Sequence, residues 1–450
     1  MEKLLRFALK RLIRSGSLTA SVATHPPFTV GDGSGPSIAM HFRNNRAVRR
    51  LLLNPDLALG ELYMDADIEM LKGDIGDLLA LAMRNYNYGN GLLPIKLTRL
   101  WRDAFRFFAQ FNFASRSRRN VAHHYDLDGR LYALFLDPDR QYSCAYFENI
   151  QAEPGDDPSF ILASKDGEAL VNTPASDGLD AAQLAKKRHI AAKLQVKPGQ
   201  KVLDIGSGWG GMALYLAQLC GAKVTGITLS KEQLTVSQER AAALGLSNQV
   251  NFNLTDYRTL SDTFDRIVSV GMFEHVGAPW FQNFFDQSAK VLADDGVMLL
   301  HSIGRMCPPG STNPWITKYI FPGGYIPALS EVLKAIERSG LIVTDIEILR
   351  LHYAETLKTW RARFHARRAE VLEMFDERFF RMFDFYLAAS EMSFRHDGMM
   401  VFQIQLAKRQ DAVPLTRDYI GRNEAALSFR EKDALSSNRG VNQSLQQAGE

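Results

Sequence analysis

The chain has 450 residues, 46% of them apolar, which exceeds one ordinary domain and supplies core for two. Fifty-three basic residues against 50 acidic ones give a net charge of +3, too mild to argue for a nucleic-acid partner. Three scattered cysteines, Cys144, Cys220 and Cys307, argue against a disulfide framework or a zinc ribbon.

No apolar run approaches the roughly 18 to 20 residues of a membrane span, and charge breaks the N-terminus too often for a secretory signal, so a soluble, cytoplasmic protein is expected. Residues 1–14, "MEKLLRFALKRLIR", set Leu4, Leu5, Ala8, Leu9, Leu12 and Ile13 on one helical face, and Lys3, Arg6, Lys10 and Arg14 largely on the other. This basic amphipathic helix fits either an anionic lipid surface or packing on its own domain. Short strand-like runs follow, "FTVGDG" and "PSIAMHFRN", then a turn-rich stretch passing into the apolar helix of "GDIGDLLALAM"; together they predict a small α+β domain. The run Arg99 to Arg119 carries six arginines and one acid among aromatic residues, and reads as an interfacial segment or a solvated linker helix at a domain boundary.

Beyond "GLDAAQLAKKRHIAAKLQVKPGQ", a helix closed by a Pro-Gly turn, strands and helices alternate. The predicted strands are "KVLDI", "KVTGITL", "QVNFNL", "FDRIVSV", "GVMLLHSI", "LIVTDIEIL" and "MMVFQIQLA", which imply a mostly parallel sheet covered on both faces. A long helical region, 354–395, interrupts the pattern, and its Trp360, Phe364, Phe375, Phe379, Phe380 and Phe383 are expected in the core. Residues 428–450 are polar and poor in aromatics, and are expected to stay disordered.

"VLDIGSGWGG" follows the first strand of this second unit and opens a helix, so backbone N–H groups can meet a ligand where side chains would obstruct it. Gly206, Gly208 and Gly211 satisfy the dinucleotide pattern GxGxxG, but the acid expected about 20 residues on is absent. S-adenosylmethionine is the alternative: Asp204, Gly206, Gly208 and Gly210 match a strand-terminal acid followed by GxGxG, and an acid suits the ligand's positive charges. Further polar candidates fall near strand ends: Glu274 and His275 in "GMFEHVG", His301 in "LLHSIG" and Tyr353 after "LIVTDIEILRLHY". In a parallel sheet ligands collect at the carboxyl ends of strands, where these could converge. No HxH or HExxH spacing supports a metal site.

The ordered motifs "HHYDL", "DPDRQYSCAYFEN", "VLDIGSGWGG", "TLSKEQ", "DRIVSVGMFEHVG", "LLHSIG", "NPWITKYIFPGG" and "RFFRMFDFYL" closely resemble the cyclopropane-fatty-acyl-phospholipid synthases, over most of residues 120–408 and more weakly in the N-terminal part. The resemblance implies an α/β fold: a Rossmann-like class I methyltransferase domain at 123–410 with a mostly parallel seven-stranded sheet. A smaller N-terminal α+β lipid-associated domain would occupy 1–112, with a linker at 113–122 and a partly disordered tail at 411–450. It implies methylene transfer from S-adenosylmethionine to the cis double bond of unsaturated phospholipid, with bound bicarbonate as the base that takes a proton from the cation. The chemistry needs a dry apolar slot and a base that does not capture the cation.

Carried over by motif, the bicarbonate site would comprise Cys144, Glu274, His301, the backbone N–H of Ile303, and Tyr353. Cys144 would then help hold an anion rather than attack the substrate, and a protonated His301 would offset the anion's charge. The methyl donor would meet Tyr142, Ser143, Asp204, Gly206, Gly208, Trp209, Gly210, Thr228, Gln233, Tyr257 and Arg258. Ser390 stands where many relatives carry cysteine, which speaks against a nucleophile there. A homodimer peripherally bound to the inner face of an anionic membrane is implied as well. A lipid C-methyltransferase and a non-catalytic lipid-binding protein are the rival readings.

Overall fold

The structure is a computed structural model and describes residues 1–86, 129–148 and 178–447. The arginine-rich run 99–119 and the linker 113–122 lie outside the described residues.

Near the N-terminus, β1 (Ser17–Val22), β2 (Phe28–Val30), β3 (Ser37–Phe42) and β4 (Ile68–Lys72) form a four-stranded sheet in the order β2-β1-β3-β4. Alternation dictates its buried face: Leu18, Ala20 and Val22 of β1 and Ile38, Met40 and Phe42 of β3 point inward. Helices Glu2–Leu12, Asn45–Leu53, Pro55–Met64 and Ile75–Tyr86 accompany this sheet. The first helix buries Leu5 and Leu9, but leaves Leu4 57% and Phe7 65% exposed. Its packed stripe is thus narrower than the face the sequence suggests.

The second sheet contains β5 (Lys201–Ile205), β6 (Lys223–Thr228), β7 (Val250–Leu254), β8 (Phe264–Val270), β9 (Leu292–Arg305), β10 (Ile342–Leu349) and β11 (Met399–Ala407), ordered β10-β11-β9-β8-β5-β6-β7. Only β11 runs antiparallel to its neighbours. All seven strands expected from the sequence are present. The long helical region resolves into helices His352–Ala366, Arg368–Met374 and Glu377–His396. Trp360, Phe364, Phe380 and Phe383 are buried in the core, with Phe375 and Phe379 partly buried against it.

The two sheets are tied through Asp384 on the helix Glu377–His396. Its Oδ1 accepts from Arg361 Nε and His365 Nε2, each at 2.7 Å, and its Oδ2 accepts from Tyr63 Oη at 2.7 Å. Tyr63 belongs to the helix Pro55–Met64, so a buried carboxylate seats the N-terminal helices against the unit built on the seven-stranded sheet.

One expectation is corrected. A helix spans Asp418–Gln447, where composition suggests a disordered tail from 428. Tyr419, Ile420 and Leu427 are buried in the cluster containing Ile190, Leu194 and Leu216. Glu431 accepts from Tyr215 Oη at 2.7 Å and pairs with Arg188 at 3.2 Å. Widely spaced contacts, rather than an apolar run, hold this helix down.

Candidate active site

The turn after β5 is built to admit a ligand. Gly206 and Gly208 have φ of +82° and +55°, a region that favours glycine; a Cβ at Gly206 would lie 2.7 Å from Met272 Cβ, whereas one at Gly208 would meet nothing within 4 Å. Around this turn lies a cavity lined by Tyr142, Ser143, Asp204, Gly206, Gly208, Trp209, Thr228, Gln233, Tyr257 and Arg258, all expected at the donor site. Gly210 is the exception. It does not line the cavity, and a Cβ there would come within 2.7 Å of Phe252, so its glycine serves the packing of the following helix.

Several of these side chains are held by others. Trp209 Nε1 donates to Glu232 Oε2 at 2.9 Å, Thr228 Oγ1 to Gln233 Oε1 at 2.8 Å, and Arg258 pairs with Asp256 at 2.6 Å. Asp204 Oδ2 is different: it is buried with no hydrogen-bond partner among the described residues. Burial raises the Asp204 carboxyl to about 7, against the pull of Lys186. An orphaned acid beside a glycine cradle fits a cationic ligand group such as the ammonium of S-adenosylmethionine.

A second cavity, of about 570 Å³, abuts the first. Cys144, Glu274, His301, Ile303 and Tyr353 all line it, as does Ser390. So do Leu5, Leu9, Leu12, Leu51, Leu79 and Ala82 of the N-terminal helices, which makes its far wall hydrocarbon. Tyr142, Ser143, Gly271 and His275 line both cavities and form the partition between them.

At the polar end, Ile303 N–H donates to Glu274 Oε1 at 2.6 Å, while Glu274 Oε2 is buried without a hydrogen-bond partner among the described residues. Burial raises the Glu274 carboxyl to about 7 even though the Ile303 N–H favours its anion. Cys144 Sγ donates to Ala145 O at 3.3 Å, and burial pushes the thiol far above its usual range. Burial therefore favours the protonated thiol over the reactive thiolate. Tyr353 packs edge-on to Trp360, with ring centroids 5.8 Å apart.

His301 differs from expectation. Burial, with Lys186 and Lys193 nearby, holds it well below the usual histidine range, so the ring is neutral rather than protonated. Gln403 Nε2 lies 3.2 Å from its Nδ1. Burial likewise lowers His275 to about 4, which leaves a neutral ring in the partition.

Sequence reasoning missed Lys186. Fully buried on the helix Leu179–Leu194, it donates to Gln141 Oε1 at 2.7 Å and Ser143 Oγ at 2.8 Å, which fixes the chain just before Cys144. Burial lowers it to about 7, opposed by Asp137. The available signal was a lysine pair, Lys186 and Lys187, set among alanines and leucines in "AAQLAKKRHIAAKL".

The doubly covered sheet with its glycine turn and acid defines a class I S-adenosylmethionine-dependent methyltransferase. The family described as "Mycolic acid cyclopropane synthetase" matches residues 113–404, and a "Domain of unknown function" matches residues 28–88. The chain is 35% identical over 383 residues to the cyclopropane-fatty-acyl-phospholipid synthase of Escherichia coli (strain K12), a match covering 84% of this chain and 89% of that one. It is 33% identical over 418 residues to a tuberculostearic acid methyltransferase of Mycobacterium tuberculosis, covering 87% and 90% respectively. Among solved structures, the cyclopropane synthase MmaA2 from Mycobacterium tuberculosis aligns with a TM-score of 0.56 at 30% identity, over 65% of this chain and 98% of that chain. Mycolic acid cyclopropane synthase CmaA1, complexed with SAH and CTAB, aligns with a TM-score of 0.55 at 31% identity, over 64% and 97%. The chain belongs to the cyclopropane synthase family of S-adenosylmethionine-dependent methyltransferases.

Proposed function

We infer that the protein is a cyclopropane-fatty-acyl-phospholipid synthase, which transfers a methylene from S-adenosylmethionine to a cis double bond in an unsaturated phospholipid acyl chain. The observation that carries this reading is the partition of Tyr142, Ser143, Gly271 and His275 between a donor cradle and a long apolar cavity. A sulfonium methyl on one side can meet an alkene on the other with water excluded.

Bicarbonate as the base belongs to the same reading. Glu274 Oε2, without a hydrogen-bond partner among the described residues, supports it, since a protonated carboxyl at that position could donate to a bound anion, while burial keeps the Cys144 thiol in its protonated, less nucleophilic form. Glu274, Cys144, His301, Ile303 and Tyr353 would hold the anion, and Asp204, Gly206, Gly208, Thr228 and Gln233 the donor. The chain division at 1–112, 113–122 and 123–410 fits the two separate sheets.

Access to bilayer lipid would come through the N-terminal helix. Among the described residues no helix is long and apolar enough to cross a membrane. The exposed Leu4 and Phe7, flanked by Lys3, Arg6, Lys10 and Arg11, suit peripheral contact with an anionic surface, and a homodimer is part of the same proposal.

The test is labelled S-adenosylmethionine with vesicles of unsaturated phospholipid, with and without added bicarbonate. Loss of the alkene signal with appearance of ring methylene protons, stimulated by bicarbonate, is the expected result. A methyl branch instead would favour the second reading, a lipid C-methyltransferase, to which the 33% identity with the tuberculostearic acid methyltransferase lends weight. Label that binds but never reaches lipid would refute both.

A further inference from the structure

The ring of His301 is held from behind by a side chain to which the function above gives no role. Gln403 on β11 stands opposite His301 of β9 in the antiparallel register, and its Nε2 lies 3.2 Å from His301 Nδ1. Lys193 decides which end of the amide faces the ring. An ammonium can only donate, and Lys193 Nζ lies 3.0 Å from Gln403 Oε1. The amide oxygen therefore faces the lysine, and the NH₂ group, a donor, faces Nδ1. A nitrogen that receives a hydrogen bond carries no proton, so in the neutral ring the proton sits on Nε2.

The arrangement is stiff. Lys193 and Gln403 are both 0% exposed, so water does not compete for these groups. Lys193 pairs with Glu347, and Glu347 accepts from His189 Nε2 at 2.6 Å. His189 Nδ1 in turn lies 2.6 Å from Glu424, on the helix Asp418–Gln447. A continuous chain of hydrogen bonds thus runs from the C-terminal helix, beyond the 113–404 family match, to the ring that lines the lipid cavity.

We propose that Lys193 and Gln403 are positioning residues that lock His301 as its Nε2–H tautomer, so that it offers the lipid cavity one N–H donor and no competing base. The chemical use is specific. A ring nitrogen with a free lone pair at this position would compete with the bound anion for the proton leaving the cation; an N–H can only hold the anion by donating to it. This use rests on the base-site reading above, whereas the tautomer itself does not.

The test is nitrogen NMR of the full-length protein labelled in histidine, read without lipid or bicarbonate. In the wild type His301 should show a protonated Nε2 and an unprotonated Nδ1. Gln403→Glu puts an acceptor opposite Nδ1 and should move the proton there; turnover should then fall by roughly 10- to 100-fold with the KM for S-adenosylmethionine changed less than about twofold. Gln403→Met removes the lock without adding charge, and should give a tautomer mixture with a smaller loss of kcat; it serves if the glutamate variant does not fold. A wild-type ring protonated on Nδ1, or a switched tautomer with unchanged kcat, would overturn the proposal. A locked Nε2–H tautomer in an enzyme indifferent to bicarbonate would instead count against the base site alone.

Discussion

Ile303 N–H donates to one oxygen of Glu274 at 2.6 Å, and the other oxygen is buried with no hydrogen-bond partner among the described residues. One half of the carboxyl is therefore structural and the other half is available to a ligand. Glu274→Gln keeps an acceptor for Ile303 but loses the titratable group. Turnover should drop by about 10²- to 10⁴-fold, while the Kd for S-adenosylmethionine, measured by calorimetry, should move little. Equal losses in both would count against the anion-holding role proposed for Glu274.

Asp204 and Glu274 both titrate at about 7 in the folded protein, from ordinary values of 3.8 and 4.5, because burial disfavours their anions. Between those limits the folded state binds more protons than the unfolded one, so stability without ligand should fall as pH rises toward 7. A cationic donor reverses this for Asp204: S-adenosylmethionine should bind more tightly as pH rises through about 7. Asp204→Asn should flatten that dependence and weaken binding by roughly 10-fold or more, as loss of a charge-assisted hydrogen bond does. Thermal unfolding and calorimetry over the pH range check both statements.

Asp384 behaves in the opposite sense. Burial alone would raise it, but His365 and Arg361 outweigh burial and hold it at about 2, below its ordinary 3.8. Its contribution is fully present above pH 3.8 and is lost as pH falls through about 2. Asp384→Ala should cost about 1 to 3 kcal/mol, since it leaves the Tyr63 hydroxyl without its acceptor and Arg361 with Asp74 as its remaining ion-pair partner. Denaturant titration gives the cost, and raised protease sensitivity of the N-terminal helices should accompany it.

Removing residues 411–450 should destabilise the protein without touching the donor cradle. The helix Asp418–Gln447 buries Tyr419, Ile420 and Leu427, each worth about 1.5 to 3 kcal/mol by area. A lower melting temperature with an S-adenosylmethionine Kd within about threefold is expected; an unchanged melting temperature would mean the helix is dispensable to the fold.

Ala82 lines the apolar end of the larger cavity, far in sequence from Cys144, Glu274 and His301. Ala82→Phe should slow turnover of long-chain phospholipid while sparing donor binding, because it fills cavity rather than cradle. Comparison of long and short acyl chains distinguishes a blocked channel from a misfolded domain: only the former restores activity with the shorter chain.

Much of this architecture was legible in the residues. "FDRIVSV" and "MMVFQIQLA" coincide with β8 and β10's partner β11 because apolar, β-branched runs between turns have few alternative fates. β1, "SLTASV", was missed: small and hydroxyl-bearing residues mute the alternation of Leu18, Ala20 and Val22. Glycines are legible as turns but not as contacts: the motif alone places Gly210 at the ligand, whereas a Cβ there would meet Phe252. The state of His301 could not be read either, since it depends on Lys193 and Gln403, more than 100 positions away in opposite directions. A buried polar residue looks like a flaw in an apolar pattern until its partners are brought beside it.

The hydrocarbon tunnel has no single owner. Helices at the N-terminal sheet supply one stretch of its wall and the methyltransferase sheet the reactive end, so a fragment confined to residues 123–410 would keep its grip on the methyl donor yet present an acyl chain with a trough open to water. Keeping water from the reacting chain is in this sense an act of the assembled protein, and severing the halves would uncouple holding the reagent from using it.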